Sequence, residues 1–358
     1  MKILIFAWRD IKNPRAGGSE LYFQELAKGW VAKGNKVTMI CGGWKGCKKF
    51  DSIDGVDIIR SGNSATLYLT APFAYFNLKD KPDIVIDVEN GVPFFTPIFS
   101  RVKKILHVHH VHKDVWFKEF KFPISFIGYL IETKIMPLFY RKNKIITISQ
   151  GSKKEIEHEG FGKVVGVVNP GIDFPNFKKF SKEKKPTILF LNRIKKYKGL
   201  DVLLKSALML KDKNIKIWVA GTGDYLEEMK RYANENGLNN VEFLGKVDEN
   251  KKRELMQKAW AFINPSFKEG WGIVNIEANY LGTPVIGSNV SGIKDSVVDG
   301  KTGLLFEYGN SLDLSNKIMK LVKDKKLRNS MEKQAYKWAR KFDWDSKSTE
   351  YLSILKSI

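Results

Sequence analysis

Cysteine is scarce in this chain: Cys41 and Cys47 are the two thiols in 358 residues. Two thiols build neither a disulfide framework nor a four-cysteine zinc site, and they fit a reducing cytosol. Long apolar runs are also missing. No stretch approaches the roughly eighteen uncharged apolar residues of a spanning helix, and Lys2 leads straight into an apolar run at residues 3–7 with no signal-peptide pattern, so neither membrane spanning nor secretion is expected. A complete phosphate loop ending in Gly-Lys-Ser/Thr is absent, which counts against an NTPase. Internal repeats and low-complexity tracts are absent too.

Acidic residues are in deficit. The 39 Asp and Glu face 61 Lys and Arg, for a formal charge of +22. Such a chain attracts polyanions. Nucleic acid, an anionic membrane face and a Lys-rich composition with solvated side chains are the competing sources of that charge. The basic residues are spread rather than clustered, and no nucleic-acid motif accompanies them, so nucleic acid is not expected as a partner.

The length allows two domains, each with its own core. Strand-like apolar runs alternate with helix-period segments, the pattern of parallel sheets with crossover helices. The first set of strands is expected at residues 3–7, 36–41, 56–61, 83–88, 104–109, 144–149 and 163–168. The second is expected at 187–192, 215–220, 241–244, 261–264, 284–287 and 303–306. Between the sets, Asn169-Pro170-Gly171-Ile172-Asp173 and the Lys-rich residues 177–186 form a turn-rich join. The domains are therefore expected at 1–172 and 173–340, both α/β and doubly wound, with a closing helix at 341–358.

The densest motif begins at Ala261. An apolar run stopped by Pro265 reads as a buried strand ending in a loop. Glu269 lies in that loop, followed by Gly270, Trp271 and Gly272, and a helix opens near Ile273 and Val274, whose free amides would attract an anion. Glu277 then falls about five residues into the helix, roughly 7 to 8 Å along its axis at ~1.5 Å per residue. One carboxylate can serve each side of a bound diphosphate.

Glu269-x7-Glu277, with Pro265-Ser266 before it and Gly282-Thr283-Pro284-Val285-Ile286 and Ser291-Gly292 after it, resembles the signature of retaining nucleotide-sugar glycosyltransferases of family 4. That resemblance implies the GT-B fold: two Rossmann-like domains facing a central cleft, the last helix crossing back to the N-terminal domain at Phe342-Asp343-Trp344. It also implies a hexose moved from a nucleoside-diphosphate sugar, UDP or GDP, to a hydroxyl acceptor, with retained configuration, no cofactor and no metal.

Other motifs take roles within this resemblance. Gly17 and Gly18 sit at a strand-to-helix turn where the family has a phosphate-facing Gly-Gly-x-Glu loop. Arg193 and Lys198, after Asn192, match the family's Arg-x4-Lys at the first strand of the second domain. Departure of a diphosphate needs either a metal or fixed cations, and these two supply the cations. Gly221 and Gly223 follow a strand and line the donor site, and Val247 belongs to the loop that holds the base. Four of the five histidines fall between His107 and His112. Without a matching Cys or carboxylate cluster a metal is not expected there. The family carries a histidine at this strand end, for which His110 is assigned and His109 is the alternative. Asp343-Trp344-Asp345 satisfies a metal-binding Asp-x-Asp pattern but reads as a helix cap.

The acceptor is expected to be a glycan or a lipid-linked molecule. Aromatic-rich residues 67–76, 92–99 and 116–140, with Lys113, Lys118, Lys121, Arg141 and Lys142, could rest on an anionic membrane or be core helices. A cytoplasmic, peripheral protein is the expectation. Other GT-B activities, an epimerase or a phosphorylase, are the alternatives, with a basic nucleic-acid-binding protein behind them.

Overall fold

The computed structural model describes residues 1–174 and 178–358. They divide into two compact units, Met1–Asp173 with Asp343–Ile358, and Phe174–Phe342.

In the first unit, alternating buried runs make the strands β1 (Lys2–Phe6), β2 (Lys36–Gly43), β3 (Phe50–Ile53), β4 (Val56–Asn63), β5 (Ile84–Glu89), β6 (Lys103–Val108), β7 (Lys144–Thr147) and β8 (Lys163–Val167). They form one sheet in the order β3-β4-β2-β1-β5-β6-β7-β8. All pairs are parallel except β3 with β4. β1 lies central, with Ile3 opposite Val37 on one side and Ile84 on the other. Strand order reverses between β1 and β5, the point at which doubly wound sheets open a ligand crevice at their carboxyl ends.

Strand β3 was not expected. Its four residues are too short and polar to read as an apolar run, but Asp54 and Gly55, with φ of 51° and 80°, close a two-residue hairpin onto β4. Asp-Gly is a strong hairpin signal that a search for apolar runs overlooks.

The closing helix, Trp344–Lys356, belongs to this unit. Asp343 caps it, accepting from the Ser346 amide at 2.7 Å. It packs on the helix Gly18–Ala32, where Trp30 Nε1 donates to the Ser348 carbonyl at 3.0 Å. Gly29 makes the approach close enough: a Cβ there would fall 2.2 Å from Ser348 Oγ.

The second unit holds β9 (Thr187–Leu191), β10 (Lys216–Ala220), β11 (Val241–Gly245), β12 (Ala261–Asn264), β13 (Val285–Ser288) and β14 (Gly303–Phe306) in a parallel sheet ordered β11-β10-β9-β12-β13-β14. Ile188, Phe190 and Ile263 pack on one face and Leu189, Phe262 and Val285 on the other. The direction of winding changes between β9 and β12, so their carboxyl ends define this unit's ligand side.

Of the expected join at residues 177–186, Phe177 lies outside the described residues. From Lys178 onward the chain is strapped to the second unit rather than free. Glu183 N donates to the Lys258 carbonyl at 2.9 Å, and Lys182 Nζ donates to Ala259 O, Gly282 O and Thr283 Oγ1.

Candidate functional site

In the second unit, the loops after β9, β10 and β12 meet at the carboxyl end of the sheet. Gly199, at φ +72°, allows the first contact: a Cβ there would stand 2.2 Å from the Pro265 carbonyl. The loop after β10 is laced to the loop after β9 by Ile194 N to Thr222 O at 2.9 Å, and to β11 by Gly221 N to Gly245 O at 2.7 Å. Below the loop after β12, a buried polar chain runs from Ser266 Oγ to Asn264, then to Asn275 and Ser296, at 2.7, 2.9 and 3.0 Å. Fully hydrogen-bonded buried networks of this kind fix geometry.

Two carboxylate–ammonium pairs lie at this end, one between the loops after β9 and β12 and one between the helices Glu249–Lys258 and Ile273–Tyr280. Lys198 Nζ donates to Glu269 Oε1 at 2.5 Å, and Ser266 Oγ reaches the same oxygen at 3.2 Å. Lys252 Nζ donates to Glu277 Oε1 at 2.8 Å. Burial works against both ammonium charges, but the facing glutamate outweighs it in each case and holds the lysine protonated above its ordinary range. The second oxygen, Glu277 Oε2, is buried and has no hydrogen-bond partner among the described residues. A buried acceptor left open costs free energy that a ligand's donors can return.

Arg193 is exposed, close enough to Lys198 to oppose its charge. Asn192 Oδ1 accepts from the Arg193 amide at 3.0 Å. The helix Ile273–Tyr280 begins where expected, with Gly272 at φ 84° and no capping side chain, so its first amides are left to other acceptors. Val247 packs half-buried beside Leu244, and Gly223 lies against the Ile194 main chain. The Trp271 indole is buried edge-on against Phe342. Lys195 pairs with Asp224 at 2.6 Å. Lys252 escaped the sequence reading because nothing in a Lys-rich helix marks which lysine will meet Glu277.

In the first unit, the Gly17 amide donates to Glu20 Oε2 at 2.8 Å, a capping arrangement that opens the helix Gly18–Ala32. The Gly17 amide is therefore already engaged, and Gly18 is the exposed member of the pair. The histidines separate by environment. His107 is fully buried among Tyr22, Phe23 and Tyr351. His109 Nε2 lies 3.0 Å from Ser19 Oγ, and burial, reinforced by His112, pushes its pKa down to about 3. His110, half-buried, stacks on His112 with ring centroids 4.4 Å apart. His112 in turn stands 3.8 Å from Glu89 and 3.4 Å from Glu132. The sequence showed no carboxylates beside this histidine run because Glu89 and Glu132 come from distant elements. Glu132 is occupied in holding the chain, accepting from the His112 and Lys113 amides and from Trp116 Nε1.

Residues 16–174 match the family model of glycosyltransferase family 4, and residues 172–338 that of the group 1 glycosyl transferases. An uncharacterized glycosyltransferase of Methanocaldococcus jannaschii is 30% identical over 57% of this chain and 51% of its own length. A capsular polysaccharide biosynthesis glycosyltransferase of Staphylococcus aureus is 30% identical over 60% of each. The chain thus spans about half to three fifths of those relatives. A solved structure of an Anabaena protein, HepE, in complex with UDP and glucose superimposes with a TM-score of 0.80 over the full length of both chains at 19% identity, which is a likeness of fold.

Proposed function

Because this chain belongs to the GT-B glycosyltransferases of the group 1 and family 4 type, we propose that it moves a hexose from a nucleoside-diphosphate sugar, UDP or GDP, to a hydroxyl of a glycan or lipid-linked acceptor, with retention and without a metal. The observation that carries this reading is the double pairing Lys198–Glu269 and Lys252–Glu277 in the segments that follow β9, β11 and β12.

The chemistry follows from the charges. A departing diphosphate gathers negative charge, and preorganised cations stabilise it most where water is scarce. Lys198 and Arg193 meet that charge, together with the amides at Ile273 and Val274. When Lys198 turns to the diphosphate, Glu269 is released to accept from a sugar hydroxyl. Glu277, with one oxygen held by Lys252 and the other open, accepts from the ribose hydroxyls. No enzymic base is assigned, since the leaving phosphate can take the acceptor's proton. The HepE complex with UDP and glucose, and the polysaccharide role of the Staphylococcus relative, support the donor and acceptor classes.

Titration with nucleoside diphosphates tests the donor site: UDP or GDP binds the wild type, and Glu277→Ala weakens it about tenfold, the worth of a charge-assisted hydrogen-bond pair. Unchanged affinity removes the ribose assignment. Turnover persists in a chelator; an absolute requirement for magnesium or manganese removes the metal-independent reading.

The same proposal places the enzyme peripherally on an anionic, cytoplasmic membrane face. No described helix is long and apolar enough to cross a membrane. The helix Leu67–Phe76 instead presents Leu69 and Phe73 to solvent, 72% and 69% exposed, and the short helices from Asp114 to Tyr140 add Ile124, Leu138 and, before them, Phe122 at 81%. Contiguous exposed apolar side chains of this kind mark interaction surfaces. Within these helices Met136 and Tyr140 are core, while the residues just named are exposed.

A further inference from the structure

A cavity of about 260 Å³ opens in the first unit at the carboxyl ends of β1, β2 and β4. Its walls include Trp8, Arg9, Asn13, Arg15, Trp44 and Asn63, and no carboxylate is among its lining residues. The walls are built rather than incidental. The Arg9 guanidinium lies 3.8 Å over the Trp8 ring, and its Nη1 donates to the Arg15 carbonyl at 3.0 Å. Arg60, 4.6 Å over the Trp44 ring, is fully buried against Asp10 through bonds of 2.7 and 3.0 Å and also donates to the Lys48 carbonyl. That ion pair neutralises Asp10, so the acid beneath the cavity does not offset the cations around it. Trp8 Nε1 is buried with no acceptor among the described residues.

Two indoles and two guanidiniums in one cavity select a particular ligand. Indole faces take the apolar face of a sugar ring, and a guanidinium fork takes a carboxylate or phosphate in a bidentate grip. The volume is just under the ~300 Å³ at which pockets accept drug-sized ligands, so it suits a single sugar residue. Neither donor binding nor the leaving-group chemistry proposed for the second unit uses these residues.

We propose that this cavity is the acceptor subsite and that the acceptor residue seated there bears a phosphate or a carboxylate. The inference rests on the glycosyltransferase reading and names the acceptor chemistry that reading leaves open. Calorimetric titration of the full chain with glucose 6-phosphate, glucuronate, glucose and inorganic phosphate tests it. The anionic sugars bind about tenfold more tightly than glucose, the factor of one charge-assisted hydrogen bond, and Arg15→Gln removes that preference. Trp44→Leu weakens the sugars but not inorganic phosphate. Both variants keep wild-type affinity for UDP or GDP, which shows them folded and separates this inference from the donor reading: loss of nucleotide binding in the wild type would sink the donor reading alone. Equal binding of glucose and the anionic sugars, or an Arg15→Gln variant that keeps the preference, overturns the subsite. Vesicles of phosphatidylinositol compete with glucose 6-phosphate where the anion is a lipid headgroup and fail to compete where it is soluble; each result supports the site and names its source.

Discussion

Lys198 and Glu269 were each assigned a ligand from the sequence, and each is found holding the other. A near-buried ion pair recovers little over hydrophobic packing but is costly to break on one side; in the proposed donor site a diphosphate would compete for Lys198. Lys198→Ala or Arg193→Ala lowers turnover by about two to three decades, comparable with losing one oxyanion donor. Single-turnover assays measure this, and near-normal rates in both variants would remove the charge-stabilisation argument. The histidines make a different point. His107 and His109 are held neutral, their pKa values pushed below the usual 6.5 first by burial. A folded pKa below the unfolded one means that the native state binds fewer protons, so stability is full above pH 6.5 and declines as pH falls toward about 3. The double variant His107→Leu, His109→Asn flattens that acid limb in thermal melts. Parallel curves for the two proteins would show that these rings are not the acid-sensitive groups. No sequence rule separates His109 from His110, because one residue's step past a strand end turns a ring from the core to the surface.

At the scale of elements, most strands were legible because parallel strands buried on both faces read as continuous apolar runs. Thr187–Leu191 and Ala261–Asn264 are such runs, bounded by Pro186 and Pro265. Helix starts were legible where a capping side chain or a glycine loop announced them, as at Asp343 and Gly272 respectively. That the closing helix joins the first unit was expected from the family resemblance and is found; the close fit on the helix Gly18–Ala32 was not legible, since it depends on Gly29, which in the sequence is one glycine inside a helical pattern. Gly29→Val forces a branched side chain into Ser348 and destabilises the first unit by about 1–3 kcal/mol. Urea unfolding shows this as a lower midpoint at unchanged slope. A variant as stable as the wild type would mean that the helix Trp344–Lys356 sits less tightly on the helix Gly18–Ala32.

At the scale of the whole molecule, the proposed membrane role draws on both the charge of +22 and the exposed aromatic side chains. Apolar side chains supply depth in the headgroup region, and the nearby lysines add about 1 kcal/mol each on an anionic surface, a contribution that salt screens. The protein therefore floats with anionic vesicles at low salt, less so at high salt, and not with zwitterionic ones. Phe73→Ser with Phe122→Ser cuts the floating fraction at every salt concentration. Absence of flotation at low salt would leave the apolar face without a membrane role.

The amino-acid sequence by itself determined the fold class, the alternation of strand and helix, and the residue types in the loops after β9 and β12, since these follow from local patterning and from glycines and prolines at fixed spacing. Only the tertiary structure decided partnership: which lysine faces Glu277, that Trp271 turns inward, that Glu89 and Glu132 flank His112, and that two tryptophans and two arginines share one cavity. Those outcomes depend on contacts between residues far apart in the chain, and their geometry exists only once the sheets are assembled and the loops at their carboxyl ends are brought together.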